Sequence, residues 1–264
     1  MLNYSLTADD RAFWTKNQYL HLKQPFSVEQ TQALRTWTDE LARWPESPGQ
    51  WMKYFESRAE TGERQLCRVE NFIEYHEGLH GLICGGGVFD ILDELMGEAA
   101  LLFKEKINYK LPGGSGFGAH QDAPAFTTFG QTYHITMLVA VDHSTVANGC
   151  LEVSAPVPAP GLLAQEADGT IDRTLESQLA WEPLPTRAGD VVFFDSYLPH
   201  RSQANRSERP RRALYVTYNR ASEQDVRAQY YAHKRSVFPP ECEREAGVDY
   251  TLNAGPYNLG NPIR

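Results

Sequence analysis

The chain has 264 residues, 41% of them hydrophobic, and a formal net charge of −9. Length and apolar content suffice for a sizeable core, while the negative balance excludes nucleic acid or an anionic membrane as the main partner, since both reward basic surfaces. No stretch approaches the ~20 apolar residues that span a bilayer, and the first residues lack the basic-then-apolar pattern of a signal peptide.

Thr7 to Asn17 predicts a short helix, with Thr7 as N-cap and acidic residues in the first turn. Tyr19 to Leu22 predicts a strand. Ser27 opens a second helix: Gln30 stands three residues on, as a capping box requires, and Leu34, Trp37, Leu41 and Trp44 follow at helical spacing until Pro45 and Pro48. Trp51 to Ile73 is aromatic and mixed, and reads as short strands and loops. Leu79 to Met96 is helical, interrupted at Gly85–Gly86–Gly87. From Ala99 the texture becomes β-branched and aromatic, with strands expected at Leu101–Lys110, Thr132–Val141, Cys150–Val153, Asp190–Asp195 and Ala213–Tyr218. Pro156 to Pro160 is a short rigid loop. A block of strands between helical ends predicts a mainly β fold, a sandwich or jelly roll buttressed by N-terminal and peripheral helices. A single domain over residues 1–264 is expected: a helical buttress over about 1–98, the β core over about 99–220, and a C-terminal helix and tail over about 221–264.

The chemistry concentrates in Gly118–Ala119–His120–Gln121–Asp122. In an extended segment residues i and i+2 share a side, so His120 and Asp122 can grip one metal ion. His200, after the strand and turn Gly189–Pro199, is the best third ligand. Two imidazoles and one carboxylate on one face of an octahedron leave open positions, which suits iron(II) and O2 with a bidentate cosubstrate. Arg211 follows His200 by eleven residues at the head of a strand. A guanidinium there can bind a carboxylate through two parallel hydrogen bonds. Cys67, Cys84, Cys150 and Cys242 show no CxxC spacing and read as free thiols in a reducing cytoplasm, the expected location.

Four stretches in this order resemble the phytanoyl-CoA dioxygenase family of iron(II)/2-oxoglutarate oxygenases. They are His120–Gln121–Asp122, Asn148–Gly149–Cys150–Leu151–Glu152–Val153, Ala188–Gly189–Asp190–Val191–Val192–Phe193–Phe194 leading to His200, and the run from Arg201 to Arg211. The likeness covers residues 100 to 220 well and the N-terminal helices more loosely. One departure is visible: Ser154–Ala155–Pro156–Val157–Pro158 stands where many relatives carry Pro–Gly–Ser–His. The resemblance implies a double-stranded β-helix, with His120, Asp122 and His200 on iron(II), and with 2-oxoglutarate and O2 as co-reactants. It implies that Ser202 lies beside Arg211 at the 2-oxoglutarate carboxylate, and that Lys104, Lys106 and Asn108 run along the cosubstrate and substrate side. Lys106 and Asn108 are the cosubstrate candidates of that strand and Lys104 the substrate candidate. Asp122 favours hydroxylation, since related halogenases lack the metal carboxylate.

Substrate clues are thinner: Arg68 in a polar patch, His134 after the iron motif, and Asn219 after the arginine strand. The expected activity is hydroxylation of a small polar, anionic metabolite, with release of succinate and CO2. Length and polar patch are similar to bacterial members of the family that hydroxylate aminoalkylphosphonates, which makes a 2-aminoethylphosphonate-like compound the candidate. Two alternatives stand beside it: hydroxylation of an acyl thioester or lipid-like substrate, and a non-catalytic jelly-roll binding protein.

Overall fold

A computed structural model describes residues 2–58, 61–157, 161–250 and Tyr257. Both N-terminal helices form where their caps predict. The first, α1 (Ala8–Asn17), is closed by a capping box between Thr7 and Asp10. After β1 (Tyr19–Leu22), α2 (Val28–Arg43) is closed by the Ser27–Gln30 box. The aromatic stretch that follows resolves into a hairpin of β2 (Met52–Ser57) and β3 (Arg64–Glu70). The glycine run splits the next helix into α3 (Glu77–Ile83) and α4 (Gly86–Met96).

Then come β4 (Ala100–Lys110), β5 (Phe117–His120), the single turn α5 (Ala123–Phe126), β6 (His134–Ala140) and β7 (Leu151–Val153). The chain continues through α6 (Arg173–Gln178), β8 (Glu182–Leu184), β9 (Val191–Asp195), β10 (His200–Ser202), β11 (Arg211–Arg220) and α7 (Arg227–Val237). The strand expected from Thr132 starts at His134, because the Glu223 carboxylate takes the amides of Thr132 and Tyr133 out of the ladder. Only Pro156 and Val157 of the expected rigid loop, and only Tyr257 of the tail beyond residue 250, are among the described residues.

Among the described residues, eleven strands make two antiparallel sheets. Seven run in the order β1-β9-β6-β11-β4-β3-β2, and four in the order β5-β10-β7-β8. This is the jelly roll. The large sheet is buried on both faces. Its outer face, through Ile107, Met137, Phe193 and Val216, packs on α2, α3 and α4. Its inner face, through Leu138, Val192 and Ala213, meets Leu151, Val153 and Leu184 of the small sheet. Polar side chains on the inner face of β4 are therefore enclosed rather than solvated. A third cluster joins β2, β3 and α5 to Tyr230, Tyr231 and Phe238 at the C-terminal end. There α7 is docked on β4 by Glu105, wholly buried, which accepts from Arg227 at 2.5 Å and from the amides of Phe72 and Ile73.

All four cysteines are free. No described helix is long and apolar enough to cross a membrane.

Candidate active site

Strand β5 pairs antiparallel with β10, and the register sets His120 directly opposite His200. Their rings lie 4.2 Å apart, centroid to centroid. Asp122 follows β5 at the head of α5, but its carboxylate does not cap that turn. Instead Oδ1 stands 3.9 Å from His120 Nε2, and candidate ligand atoms of all three residues lie within 4.8 Å of one another. The residue between them faces the other way, as strand alternation demands. Gln121 is wholly buried, donates to the carbonyls of Tyr197 and Gly161, and accepts from the Leu163 amide. It pins the motif to the loops behind it.

Each histidine is oriented through its second nitrogen. His120 Nδ1 lies 2.7 Å from the Gly118 carbonyl and His200 Nδ1 lies 3.0 Å from the Leu198 carbonyl. A carbonyl can only accept, so both Nδ1 atoms carry the proton and both Nε2 lone pairs are free for a metal. Burial, with His200 close by, pushes His120 down to about 3, so the ring is neutral. Burial works against ionisation of Asp122, yet His200, Lys106, His120 and Lys104 hold its carboxyl well below the usual range. Neutral imidazoles and an ionised carboxylate are the forms that bind a divalent ion. The donor set fits iron(II).

Two lobes open from the triad, and both are lined by Lys104, Lys106 and Phe117. One continues past Asn108, Thr217, Ser202 and Tyr215. The other continues past Arg68, Ala125, Tyr230, Lys234 and Tyr257. In the first lobe Arg211 backs Tyr215, donating to its hydroxyl at 3.2 Å and to Ser144 Oγ at 3.4 Å. Its neighbour Arg212 faces outward and is consumed by Asp142, at 2.7 and 2.8 Å, and by Asp39. In the second lobe Glu70 is clamped between Arg68 at 3.0 Å and Lys234 at 2.5 Å. Burial raises the Glu70 carboxyl, but Lys234, Arg68 and Lys104 outweigh it and bring it down to about 2. Lys104 faces the Phe126 and Tyr230 rings, 4.4 and 5.5 Å away, and Lys106 the Tyr215 ring, 5.4 Å away. Among the described residues neither lysine has a carboxylate within ion-pair distance.

Of the residues singled out in the sequence, the structure gathers His120, Asp122, His200, Lys104, Lys106, Asn108, Ser202 and Arg68 around the lobes, with Arg211 just behind. It does not bring His134 or Asn219 to either. Both have the inward parity of Thr136 and Thr217, but they lie two pairs further along the β6–β11 ladder. His134 is enclosed between Phe103 and Phe126, and burial pushes its ring down to about 3. Asn219 is turned to the carbonyls of Arg220 and Gln224, where it closes the turn after β11. Sequence reasoning missed Lys110, Tyr215, Tyr230, Lys234 and Tyr257. Three had a signal: Lys110 extends the alternation of Lys104, Lys106 and Asn108, and Tyr230 and Lys234 sit four apart on one helix face.

A jelly roll holding two histidines and an aspartate against an inward arginine is the architecture of a non-haem iron dioxygenase. Comparison with known proteins agrees. The profile of the family described as phytanoyl-CoA dioxygenase (PhyH) matches residues 14–213, and the chain belongs to that family. It is 53% identical to a 2-aminoethylphosphonate dioxygenase from an uncultured bacterium (HF130_AEPn_1), covering 98% of each chain. It is 43% identical to a methylphosphonate hydroxylase of Gimesia maris, covering 90% of each. Among solved structures, EctD from S. alaskensis, with 2-oxoglutarate and 5-hydroxyectoine, superposes with a TM-score of 0.70 at 20% identity, over 83% of this chain and 77% of that one. The carbocyclase SnoK from nogalamycin biosynthesis gives 0.67 at 22% identity, over 82% and 85%. At these identities the two structures speak to the fold alone.

Proposed function

We propose that the protein hydroxylates a small organophosphonate of the 2-aminoethylphosphonate type, using O2 and 2-oxoglutarate and releasing succinate and CO2. One atom of O2 enters the new hydroxyl group and the other enters succinate. The observation that carries the substrate class is the charge of the second lobe. Arg68, Lys104, Lys106 and Lys234 converge there, and among the described residues, apart from the metal ligand Asp122, the only carboxylate lining or touching them is Glu70. Enclosed cations without partners are costly, and a phosphonate dianion offsets that cost. An acyl thioester requires a long apolar channel, whereas the described lining of this lobe is rich in cations and phenols. A binding protein that had lost catalysis needs no intact ligand set, yet all three donors are in ligating form.

In this reading His120, Asp122 and His200 hold iron(II), which supplies the activation of O2 needed to attack an unreactive C–H bond. Thr136 Oγ1, 3.5 Å from Asp122 Oδ2, steadies the carboxylate. Arg211 and Ser202 take the far carboxylate of 2-oxoglutarate, and Asn108 and Lys106 border its lobe. Lys104, Arg68 and Lys234 take the phosphonate group. Arg68 is also tied to Asn108 Oδ1 at 3.3 Å, which links the two lobes across β3 and β4. The inward-facing cations are spent inside, and the net charge of −9 disfavours nucleic acid or an anionic membrane as a partner. A small-molecule enzyme of the cytoplasm fits these features.

The test is succinate release across small phosphonates, amino acids and acyl thioesters, with iron(II) and ascorbate supplied. Turnover with a phosphonate and none with a thioester is expected. The reverse pattern would falsify the substrate class. Anaerobic addition of iron(II) and 2-oxoglutarate should give a weak visible charge-transfer band, lost in His200→Ala.

A further inference from the structure

A cleft of about 690 Å³ lies outside the catalytic enclosure and shares no lining residue with either lobe at the metal triad. The turn after β1, the β6–β7 loop, the β8–β9 loop and the loop before β11 build it, and each brings a basic side chain: Lys23, His143, Arg187 and Arg209. The chain as a whole has 34 acidic residues against 25 lysines and arginines, so this convergence runs against its balance. Among the described residues, no carboxylate lies within ion-pair distance of Lys23, Arg187 or Arg209. The one carboxylate in the described lining, Asp190, is already spent. His21 Nε2 lies 3.1 Å from it, and the amides of Gln24 and Arg187 donate to it at 2.9 and 2.8 Å. Those bonds hold the Gln24 backbone at φ of +49°, a left-handed conformation that few side chains favour, and so fix the turn that carries Lys23.

Neutral donors stand among the cations. The Ala188 amide donates to His143 Nδ1 at 3.4 Å, so the proton of the neutral ring is on Nε2, and the ring is a donor in either charge state. Ser144 and Thr186 pair through their backbones at 2.8 and 3.0 Å and wall the cleft. The Ser144 hydroxyl accepts from Arg211 at 3.4 Å, and its own proton has no acceptor among the described residues. A guanidinium fork matches the planar edge of a carboxylate or phosphate. A concave wall of one sign concentrates its field on such a ligand. The volume is in the range of small-molecule sites, ~300–1,000 Å³, and exceeds what a single inorganic ion fills.

We propose that this cleft is a second ligand site, which binds a small organic oxyanion with two or more negative charges, a phosphomonoester or a dicarboxylate. The forks of Arg187 and Arg209 and the ammonium of Lys23 carry the charge recognition, and His143 Nε2–H and the Ser144 hydroxyl complete it. The competing role is a solvated cationic rim that holds no ligand.

Proton–nitrogen spectra of the zinc(II)-substituted protein separate the two. The His143 ring signal is assigned by its loss in His143→Gln. At constant ionic strength it should move and saturate on addition of glycerol 3-phosphate or of succinate, and the probe that moves it at the lower concentration identifies the class of oxyanion. Arg187→Gln and Arg209→Gln, both at exposed positions that tolerate the change, should each raise the saturating concentration roughly 10-fold. That is the low end for a charge-assisted bond, because the cleft is open to solvent. Lys104→Met, in the catalytic enclosure, should leave it within about twofold. A signal that neither probe moves, that sodium chloride moves equally, or that responds alike in wild type and both arginine variants would overturn the proposal.

Discussion

At the scale of single residues, parity decides function. Arg211 and Arg212 are neighbours with identical side chains, and one faces the lobe while the other faces Asp39 and Asp142. Arg211→Lys keeps the charge but loses the fork, so 2-oxoglutarate affinity should fall by ~1.5–3 kcal/mol, roughly 10- to 150-fold. Arg212→Lys should leave that affinity alone and lower the melting temperature by a few degrees, at ~2–4 °C per kcal/mol for a protein near this size. Titrating both variants checks the register; a sensitive Arg212 would mean that it is off by one. Lys104 gives the matching test in the other lobe. Lys104→Met should raise the KM for the phosphonate more than that for 2-oxoglutarate, and the loss should shrink for a neutral substrate analogue. Asp122→Glu should cut turnover by orders of magnitude, because a longer arm displaces the carboxylate from two histidines fixed by their carbonyl bonds.

At the scale of elements, short pieces of chain hold the site by leaning on longer ones. Strand β10 has three residues and sits between β5 and β7. The loop that follows it is pressed against the turn before β7. Gly149 there has φ of +75°, and a Cβ on it would lie 2.1 Å from the Gln203 carbonyl oxygen. That position tolerates glycine for two separate reasons, left-handed backbone and close approach. Gly149→Ala should cost ~1–3 kcal/mol of stability in thermal or denaturant unfolding. It should also weaken 2-oxoglutarate binding, since the displaced carbonyl belongs to Gln203, next in the chain to Ser202, which is read as a cosubstrate residue. Stability loss with unchanged cosubstrate affinity would show that the turn acts on the fold alone.

At the scale of the whole molecule, buried ionisable groups set the pH range in which the fold holds. Glu70 is brought down to about 2 from an ordinary 4.5. Its stabilisation is present above the unfolded value and is lost as pH falls from 4.5 towards 2. Asp195 has the opposite sign. Burial raises it from 3.8 to about 6, against the amides of Tyr197 and Leu198. The folded state therefore holds that proton more tightly, and ionisation of Asp195 penalises the fold increasingly from pH 4 to pH 6 and by a constant amount above. Asp195→Asn should raise the melting temperature at pH 7 to 8 and make no difference below pH 4. A uniform gain at every pH would contradict the linkage.

The local rules of the chain were legible throughout. An N-cap threonine placed α1 and a capping box α2, β-branched and aromatic runs placed β4, β6, β9 and β11, and alternation put Lys104, Lys106 and Asn108 on one face of β4. Those patterns depend on a few neighbouring residues, so a sequence carries them in full. Strands β5, β8 and β10, of three or four residues, were too short to show a period. Nor could parity alone say where along a ladder the pocket ends, which is why Thr136 and Thr217 line it while His134 packs on Phe126 and Asn219 closes the turn after β11. Only the tertiary structure brought Lys234 of α7, more than a hundred residues from the iron motif, onto Glu70 and into the same enclosure as Lys104. That meeting needs the docking of α7 through Glu105 and the pairing of β3 with β4. Burial, which turns a row of lysines from a solvated surface into a site that needs an anion, is a property of both packed faces of the sheet together and is written in no single segment.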